Sequence, residues 1–396
     1  MNGEQKTVAP GGGYAGAGGG GGVAGIAAAL AARRAGAGKV LLIERAYALG
    51  GLATLGLIAI YLPLCDGRGR QVSFGIAEEL LRLAVRHGSK DPLPDAWLGQ
   101  GAPQMRTKTR FQARYDPNVF AILAEQLLLA EGVELLYGTL VCDVRRAGSR
   151  VTALVVENKA GRSAIPVRAV VDATGDADVC ALAGAPTRTF APGNPLAAWY
   201  FACEDGKLAL HTLGAADVPE GERDGDEPAP LSAGRYSGLD AFGVTDMMCR
   251  SHAVLLEDFL QKGPVGPGHS LASIAALPQL RMTRCLRGAY ALDENELFTH
   301  FADSVGQIAS WRRPGPVYEV PFRALYSPRV TNLLAAGRCI SATDAMWDLT
   351  RVIPACAVTG QAAGTAAALG RDVSTLPAQL LQEKLAAAGV PCRGDF

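Results

Sequence analysis

Gly20, Gly22 and Gly25 stand in a Gly-x-Gly-x-x-Gly spacing, and an alanine-rich run follows them directly. Such a turn can carry a dinucleotide. Its first glycine makes the tight strand-to-helix turn, its second lets the backbone approach a pyrophosphate, and its third lets helix and strand pack closely. Val23 and Ala24 would then open a helix whose unpaired amides face the phosphates. The run Val40-Leu41-Leu42-Ile43 ends on Glu44, 19 residues past Gly25, near the ~20 at which an acidic side chain meets a ribose hydroxyl. A second register, Gly11 to Gly16, repeats the glycine pattern after Thr7-Val8-Ala9. It leads into more glycine rather than a helix, so the Gly20 register is preferred.

Other reactive side chains are scattered. The nine cysteines contain no Cys-x-x-Cys pair, which argues against structural zinc and a compact iron–sulfur motif. They read as reduced, mostly structural thiols of a cytoplasmic protein. Cys339 follows Arg338 and invites a redox reading, but it has no neighbouring cysteine and a packing role is the plainer one. The five histidines lack metal-ligand spacing, so no metal is expected. His252 is an acid/base candidate against the plainer reading of a solvated or core histidine.

The elements that must position these residues follow from length and pattern. At 396 residues, with 38 basic and 38 acidic side chains, the chain can bury a large core and has no basic footprint. Small molecules rather than nucleic acid or a membrane are the expected partners, a soluble protein is expected, and an oligomer is compatible with the sequence. The spacing of Ile76, Leu80, Leu83 and Ala84 predicts a helix over 75–86. Asp116-Pro117 predicts a capped helix through Leu129, ended by Gly132. Short β-branched runs from Val133 to Val171, punctuated by turns at 148–149 and 159–161, predict an inserted β-meander. Ala169-Val170-Val171 then breaks into Asp172-Ala173-Thr174-Gly175-Asp176, a second turn able to approach a nucleotide. Residues 187–326 lack this alternation and read as a covering lobe, with an acidic loop at 220–230 and a helix near 247–261. Asn332 to Ala336 predicts a strand, and a long helix follows from about Ala355 to Leu369.

Three segments together resemble the FAD-dependent oxidoreductases of the glutathione-reductase-like superfamily, in the branch related to the flavin subunit of heterodisulfide reductase. They are GGGVAGIAAALAARRAGAGKVLLIERAYALGGLAT, AVVDATGDADVCALAGAP and NLLAAGRCISATDAMWDLTRVIPACAVTGQAAGTAAAL. The resemblance implies an α/β fold: a discontinuous Rossmann-like FAD-binding domain (1–75, 116–186 and 327–396), the inserted meander, and a substrate-covering α+β lobe (76–115 and 187–326). It implies FAD as cofactor. By the same resemblance Gly20, Gly22, Val23, Ala24 and Gly25 hold the pyrophosphate, and Glu44 and Arg45 the adenosine side. Gly50, Gly51 and Thr54 belong to the loop by the flavin. Ala173, Thr174, Gly175 and Asp176 lie on the nucleotide, while Gly337, Arg338, Gly360 and Gln361 lie towards the ribityl chain and ring. The residues before Gly20, where a buried strand is expected, include Gly16, Gly18 and Gly19. Interior glycines weaken a strand by ~0.5–1 kcal/mol each, so this one reads as poor.

Reduction of a flavin puts negative charge at the pyrimidine edge of its ring, where a guanidinium is stabilising. Arg351 is the first candidate and Arg338 the second, against the alternative that Arg351 braces its loop through Asp344 or Asp348. Arg323 is a candidate for meeting an anionic substrate, against the alternative of an exposed strand-end arginine. No second nucleotide-binding unit appears in 187–330, so electrons are expected from a small organic substrate or an external donor or acceptor. The leading expectation is hydride transfer between flavin and that substrate. A noncatalytic nucleotide-binding or assembly subunit, motivated by the glycine-rich strand, and an NAD-only dehydrogenase stand as alternatives.

Overall fold

The computed structural model describes residues 6–7, 14, 16–89, 97, 105–106, 112–214, 230–370 and 372–395. The second glycine register, the Pro- and Gly-rich crossing at 88–105 and the acidic loop at 220–230 lie largely outside the described residues. In the first half the elements run β1 (Lys6–Thr7), β2 (Gly16–Gly19), α1 (Val23–Arg34), β3 (Val40–Ile43), β4 (Ile60–Tyr61), α2 (Ile76–Ala84), β5 (Ala113–Arg114), α3 (Pro117–Ala130), β6 (Glu134–Leu136), β7 (Leu140–Ala147), β8 (Arg150–Asn158), β9 (Gly161–Pro166), β10 (Val170–Asp172) and α4 (Asp178–Leu182). They continue with β11 (Thr187–Thr189), β12 (Ala198–Glu204), β13 (Lys207–Leu213), α5 (Ala241–Lys262), β14 (His269–Ile274), β15 (Arg284–Leu286), β16 (Ser304–Ala309), β17 (Val317–Pro321), β18 (Leu333–Ala335), α6 (Asp344–Thr350), α7 (Ile353–Leu369) and α8 (Ala378–Ala387).

A Rossmann-like parallel sheet, ordered β18-β10-β2-β3-β6, is the centre of the molecule. Period-two alternation sends successive side chains to opposite faces. Val40, Leu42, Val171 and Leu334 meet the helices, whereas Leu41, Ile43, Val170 and Leu333 meet the meander β7-β8-β9. The sequence placed that meander correctly, with ends shifted by at most three residues. The glycine-rich strand is the instructive difference: β2 forms in full and occupies the middle of the sheet. Backbone ladders to β3 on one side and β10 on the other hold it there. The damage that motivated a noncatalytic subunit is therefore absent from the fold.

On the helical face α1 and α7 pack almost backbone to backbone. A Cβ on Gly360 would sit 2.3 Å from the Ala24 carbonyl oxygen, and one on Gly364 2.0 Å from that of Ala28. Both helices are buried on most of their surface, which their small residues permit. Asp116 caps α3 as expected, accepting from the Asn118 and Val119 amides. α2 packs in this same layer, with Ile76, Leu80, Leu81 and Leu83 buried, although the sequence grouped 76–115 with the covering lobe. β16 and β17 also join this core through Val305, Ile308, Tyr318 and Val320.

A separate antiparallel sheet, β13-β12-β14, carries α5 on its face through Tyr200, Ala202, Leu255 and Phe259. The described residues of 187–326 thus contain seven strands where alternation was lacking. For two of them the reason is burial: β16 and β17 are buried at every position, so no polar face marks them. Among the described residues no single helix is long and apolar enough to cross a membrane.

The α1–α7 contact predicts an asymmetry between two glycines. Gly364→Val forces the helices apart and costs ~3 kcal/mol or more, while Gly38→Ala, whose Cβ enters open space, stays within ~0.5 kcal/mol. Thermal unfolding of the two variants measures the difference.

Candidate functional site

The turn between β2 and α1 shapes the floor of a cavity of about 310 Å³, a size within the ~300–1,000 Å³ of ligand clefts. Gly20 has a φ of +103°, and a Cβ there would lie 2.4 Å from the Ala173 carbonyl oxygen, so only glycine can make the turn beside β10. Gly22 is the N-cap of α1 and provides no side-chain cap, nor does the first turn hold an acid. The first amides of α1 are left for another acceptor. A Cβ on Gly22 would meet nothing within 4 Å, because it would point into open space. Gly25 has a packing role: its Cβ would strike the Gly20 carbonyl at 1.9 Å.

Carboxylates fix the rim. Glu44, 7% exposed, accepts from the Gly21 amide at 2.6 Å and from the Ala46 amide at 2.7 Å, and it lines the cavity with Arg45. Two amides hold this carboxylate in place while leaving lone pairs for further donors. At the end of β10, Asp172 is fully buried and accepts from the Thr174 amide and hydroxyl and from the Cys180 amide at 2.7 Å. Burial pushes its pKa up against those hydrogen bonds. Asp172 shapes the turn 173–176, which lines the cavity, without lining it itself.

Asp176 accepts from Arg338 at 2.8 Å and from the Thr283 hydroxyl at 2.6 Å. Burial alone would raise its pKa, but the Arg338 guanidinium beside it, with Thr283, holds the carboxyl below the usual carboxylate range. Arg338 Nε is buried and has no hydrogen-bond partner among the described residues. Gly337 lies between Ala24 and Cys356, so the last strand delivers Arg338 beside the first helix.

Arg351 stands where α6 and α7 meet at 88° and lines the cavity. Its Nε and Nη2 both donate to Asp348 Oδ1, so the brace raised as an alternative is present together with the cavity position. Asp348 is buried and also accepts from Arg312 at 2.7 Å and the Trp311 indole at 3.1 Å. Asp344 instead pairs with Arg188. Trp311 lines the cavity with the Arg351 guanidinium 5.5 Å from its ring centroid.

Several expected site residues stand elsewhere. Arg323 is on the outside, paired with Asp303 at 3.0 Å and over Tyr290, and does not line the cavity. Gln361 is buried behind it, accepting from the Ile76 amide at 2.8 Å, because α2 packs there. Gly360 serves the α1–α7 contact. Thr54 turns its hydroxyl to the Leu49 carbonyl and leaves Gly50, Gly51 and Ala53 on the lining. Cys339 is a buried packing thiol with its pKa pushed up by burial, and His252 is exposed on α5.

The segment 276–283 closes the cavity, and the sequence reading missed it. It is tied to the loop after Gly51 by Ala276 N to Leu55 O at 2.8 Å and Gln279 Nε2 to Gly56 O at 2.6 Å, and to Asp176 through Thr283. Leu277, Pro278, Leu280 and Arg281 between these ties line the cavity, with Trp199 of β12 beside them. Only Pro278 marks this stretch in sequence.

Several solved structures are similar to this chain at low identity. CabE, an aromatic hydroxylase from angucycline biosynthesis, is 16% identical over 96% of this chain and 66% of its own, with a TM-score of 0.45. The p-nitrophenol 4-monooxygenase PnpA of Pseudomonas putida DLL-E4 is 14% identical over 95% of this chain and 80% of its own, with a TM-score of 0.44. A geranylgeranyl bacteriochlorophyll reductase-like protein of Thermoplasma acidophilum is 13% identical over 94% and 82%, also at 0.44. The chain thus spans slightly less than two thirds of the length of CabE. No curated protein sequence matches it. The family described as FAD dependent oxidoreductase matches residues 19–197 and 245–388, which is most of the chain. The protein therefore belongs to the FAD dependent oxidoreductase family and is an FAD-binding enzyme.

Proposed function

We propose that this enzyme transfers a hydride between FAD and a small organic substrate, exchanging electrons with an external carrier in the cytoplasm. Its sequence motifs favour the glutathione-reductase-like superfamily, in the branch related to the flavin subunit of heterodisulfide reductase. The observation that carries the reading is convergence. The uncapped start of α1, the Glu44 carboxylate, the Asp176–Arg338 pair and Arg351 all line one cavity, although they come from opposite ends of the chain.

The residues fit FAD. Gly22 leaves a cradle that any Cβ would enter, the first α1 amides lack acceptors, and Arg338 carries a buried nitrogen without a partner. In this reading Gly20, Gly22, Val23 and Ala24 hold the pyrophosphate, and Glu44 and Arg45 the adenosine side. Gly50, Gly51, Gly175, Asp176, Gly337 and Arg338 hold the ribityl side. Bound FAD supplies two-electron redox chemistry.

The chain's own contribution is positioning and electrostatics. Arg351 keeps a cation at the α6–α7 bend, where it stabilises negative charge that develops in the cavity. Asp348 fixes its guanidinium from behind, so little reorganisation is needed. Leu277, Pro278 and Leu280 exclude water, which strengthens that interaction by lowering the local dielectric. Because Arg323 lies outside, Arg281 replaces it as the cation that the covering segment brings to the substrate.

Two variants test the assignment. Gly22→Val places its side chain in open space, so the melting temperature of the cofactor-free protein stays near wild type while FAD affinity falls by ~10-fold or more, the loss expected from one charge-assisted hydrogen bond. Flavin absorbance retained after gel filtration reads it, and full retention would remove Gly22 from the pyrophosphate site. Arg351→Gln lowers the flavin reduction potential by ~30–60 mV, equivalent to ~1.5–3 kcal/mol for a two-electron couple. Equilibrium reduction against a dye of known potential measures the shift.

A further inference from the structure

Two consecutive residues at the end of the covering wall grip Asp176. Thr283, fully buried, donates its hydroxyl to Asp176 Oδ1 at 2.6 Å. Arg284, the first residue of β15, donates Nε to the Asp176 carbonyl at 2.9 Å and Nη2 to Asp178 at 2.6 Å. Thr283 is itself fixed. Its carbonyl accepts from the Phe190 amide at 2.8 Å, and the Met282 amide just before it donates to the buried Asn194 Oδ1 at 3.0 Å. Its Cγ2 methyl rests beside Gly238, where a Cβ would lie 2.5 Å away, and the hydroxyl on the same carbon is turned to the carboxylate.

The oxygen that Thr283 meets has a chemical consequence. Arg338 Nη2 also donates to Oδ1, at 2.8 Å, so both donors converge on one atom. Oδ2 takes no hydrogen bond from the described residues, although Asp176 is 9% exposed and lines the cavity. Each carboxylate oxygen can accept two donors, and a nearly buried one left without any is costly. Arg338 is held against the Gly175 backbone, where a Cβ would lie 2.4 Å from its Cζ, and its charge is matched by Asp176. The pair therefore sets an acceptor beside donors with little net charge. A hydroxyl, which both donates and accepts, matches this better than a phosphate, which at neutral pH only accepts.

We propose that Thr283 is a cofactor-positioning residue: by sharing Asp176 Oδ1 with Arg338 it leaves Oδ2 to accept from a hydroxyl of the FAD ribityl chain. This deepens the proposed function and rests on it, since Asp176 and Arg338 form the ribityl side of that reading. The arrangement requires Asp176 to be ionised. Burial opposes its charge, and the Arg338 guanidinium, the Thr283 hydroxyl and Arg45 outweigh burial. The other charged groups around this turn are Asp178, raised by burial and by the charges of Asp176 and Asp172, its partner Arg284, and Asp172, raised by burial.

The test is equilibrium dialysis of the full-length chain against FAD and, separately, against ADP, which has the pyrophosphate and adenosine but no ribityl chain. Thr283→Val keeps the methyl contact and removes the hydroxyl. It is expected to weaken FAD by ~5-fold or more and ADP by no more than about twofold, with Thr283→Ser restoring FAD to within about twofold of the parent. A merely structural role would weaken both ligands alike. The pH profile adds a second reading. In the parent, FAD affinity is full while Asp176 is ionised and falls as the pH drops through its low pKa; without the Thr283 hydroxyl the carboxyl protonates at higher pH, so the fall begins earlier on acidification. Titration of Asp178 and Asp172 is common to both proteins. Equal weakening of FAD and ADP, unchanged FAD affinity in Thr283→Val, or an unmoved pH profile overturns the proposal. If the variant does not fold, FAD analogues lacking single ribityl hydroxyls decide on the unmodified chain: one is expected to bind ~5-fold or more weaker, and equal binding of all overturns the proposal. A chain that takes up no FAD overturns the proposed function as well, whereas the other failures leave that function standing.

Discussion

The close approach of α1 and α7 is the constraint on which the rest depends. These helices come from opposite ends of the chain, and glycines 360 and 364 let one backbone lie against carbonyls of the other. That contact fixes the relation between the turn at Gly20–Gly22 and the segment carrying Gly337, Arg338 and Arg351. Dispersion and burial along the contact can be large because both helices are rich in small residues and lose little side-chain entropy on packing. The cavity is a consequence. Its floor is the start of α1 and part of its side is the approach to α7.

Buried carboxylates then set the fine geometry, each through a different set of donors. Glu44 holds the amides of Gly21 and Ala46, Asp172 holds the turn after β10, Asp176 holds Arg338 and Thr283, and Asp348 holds Arg351, Arg312 and Trp311. A buried carboxylate is costly unless its oxygens are satisfied, so each of these sites commits its neighbours to one arrangement. Asp172 and Asp176 show the two outcomes four residues apart. Asp172 has neutral donors and burial raises its pKa, while Asp176 has a guanidinium beside it and is held low.

The covering wall runs from β14 to β15 and joins this framework at its two ends. Thr283 reaches Asp176, and Ala276 and Gln279 reach the loop after Gly51, so the wall is fastened to the same turns that line the cavity. A shift in either turn would reach the side chains of Leu280 and Arg281 directly. The apolar wall and the charged rim are therefore one mechanical unit.

The sequence by itself determined the local devices: the Gly20–Gly25 turn and its helix, Glu44 at the end of β3, the Asp116 cap, the meander, and the Thr174-Gly175 turn. Each depends on residues close together in the chain, whose conformational preferences act over a few positions. It could not show that β2, weak by composition, would be secured by strands on both sides, nor find β16 and β17, which are buried at every position and carry no alternation. Tertiary structure alone decided that Arg323 faces outward and Arg281 inward, that Gln361 supports α2, and that Asp348 stands behind Arg351. Those assignments depend on which surfaces pack together, and an arginine in a loop has the same local chemistry whichever way the packing turns it.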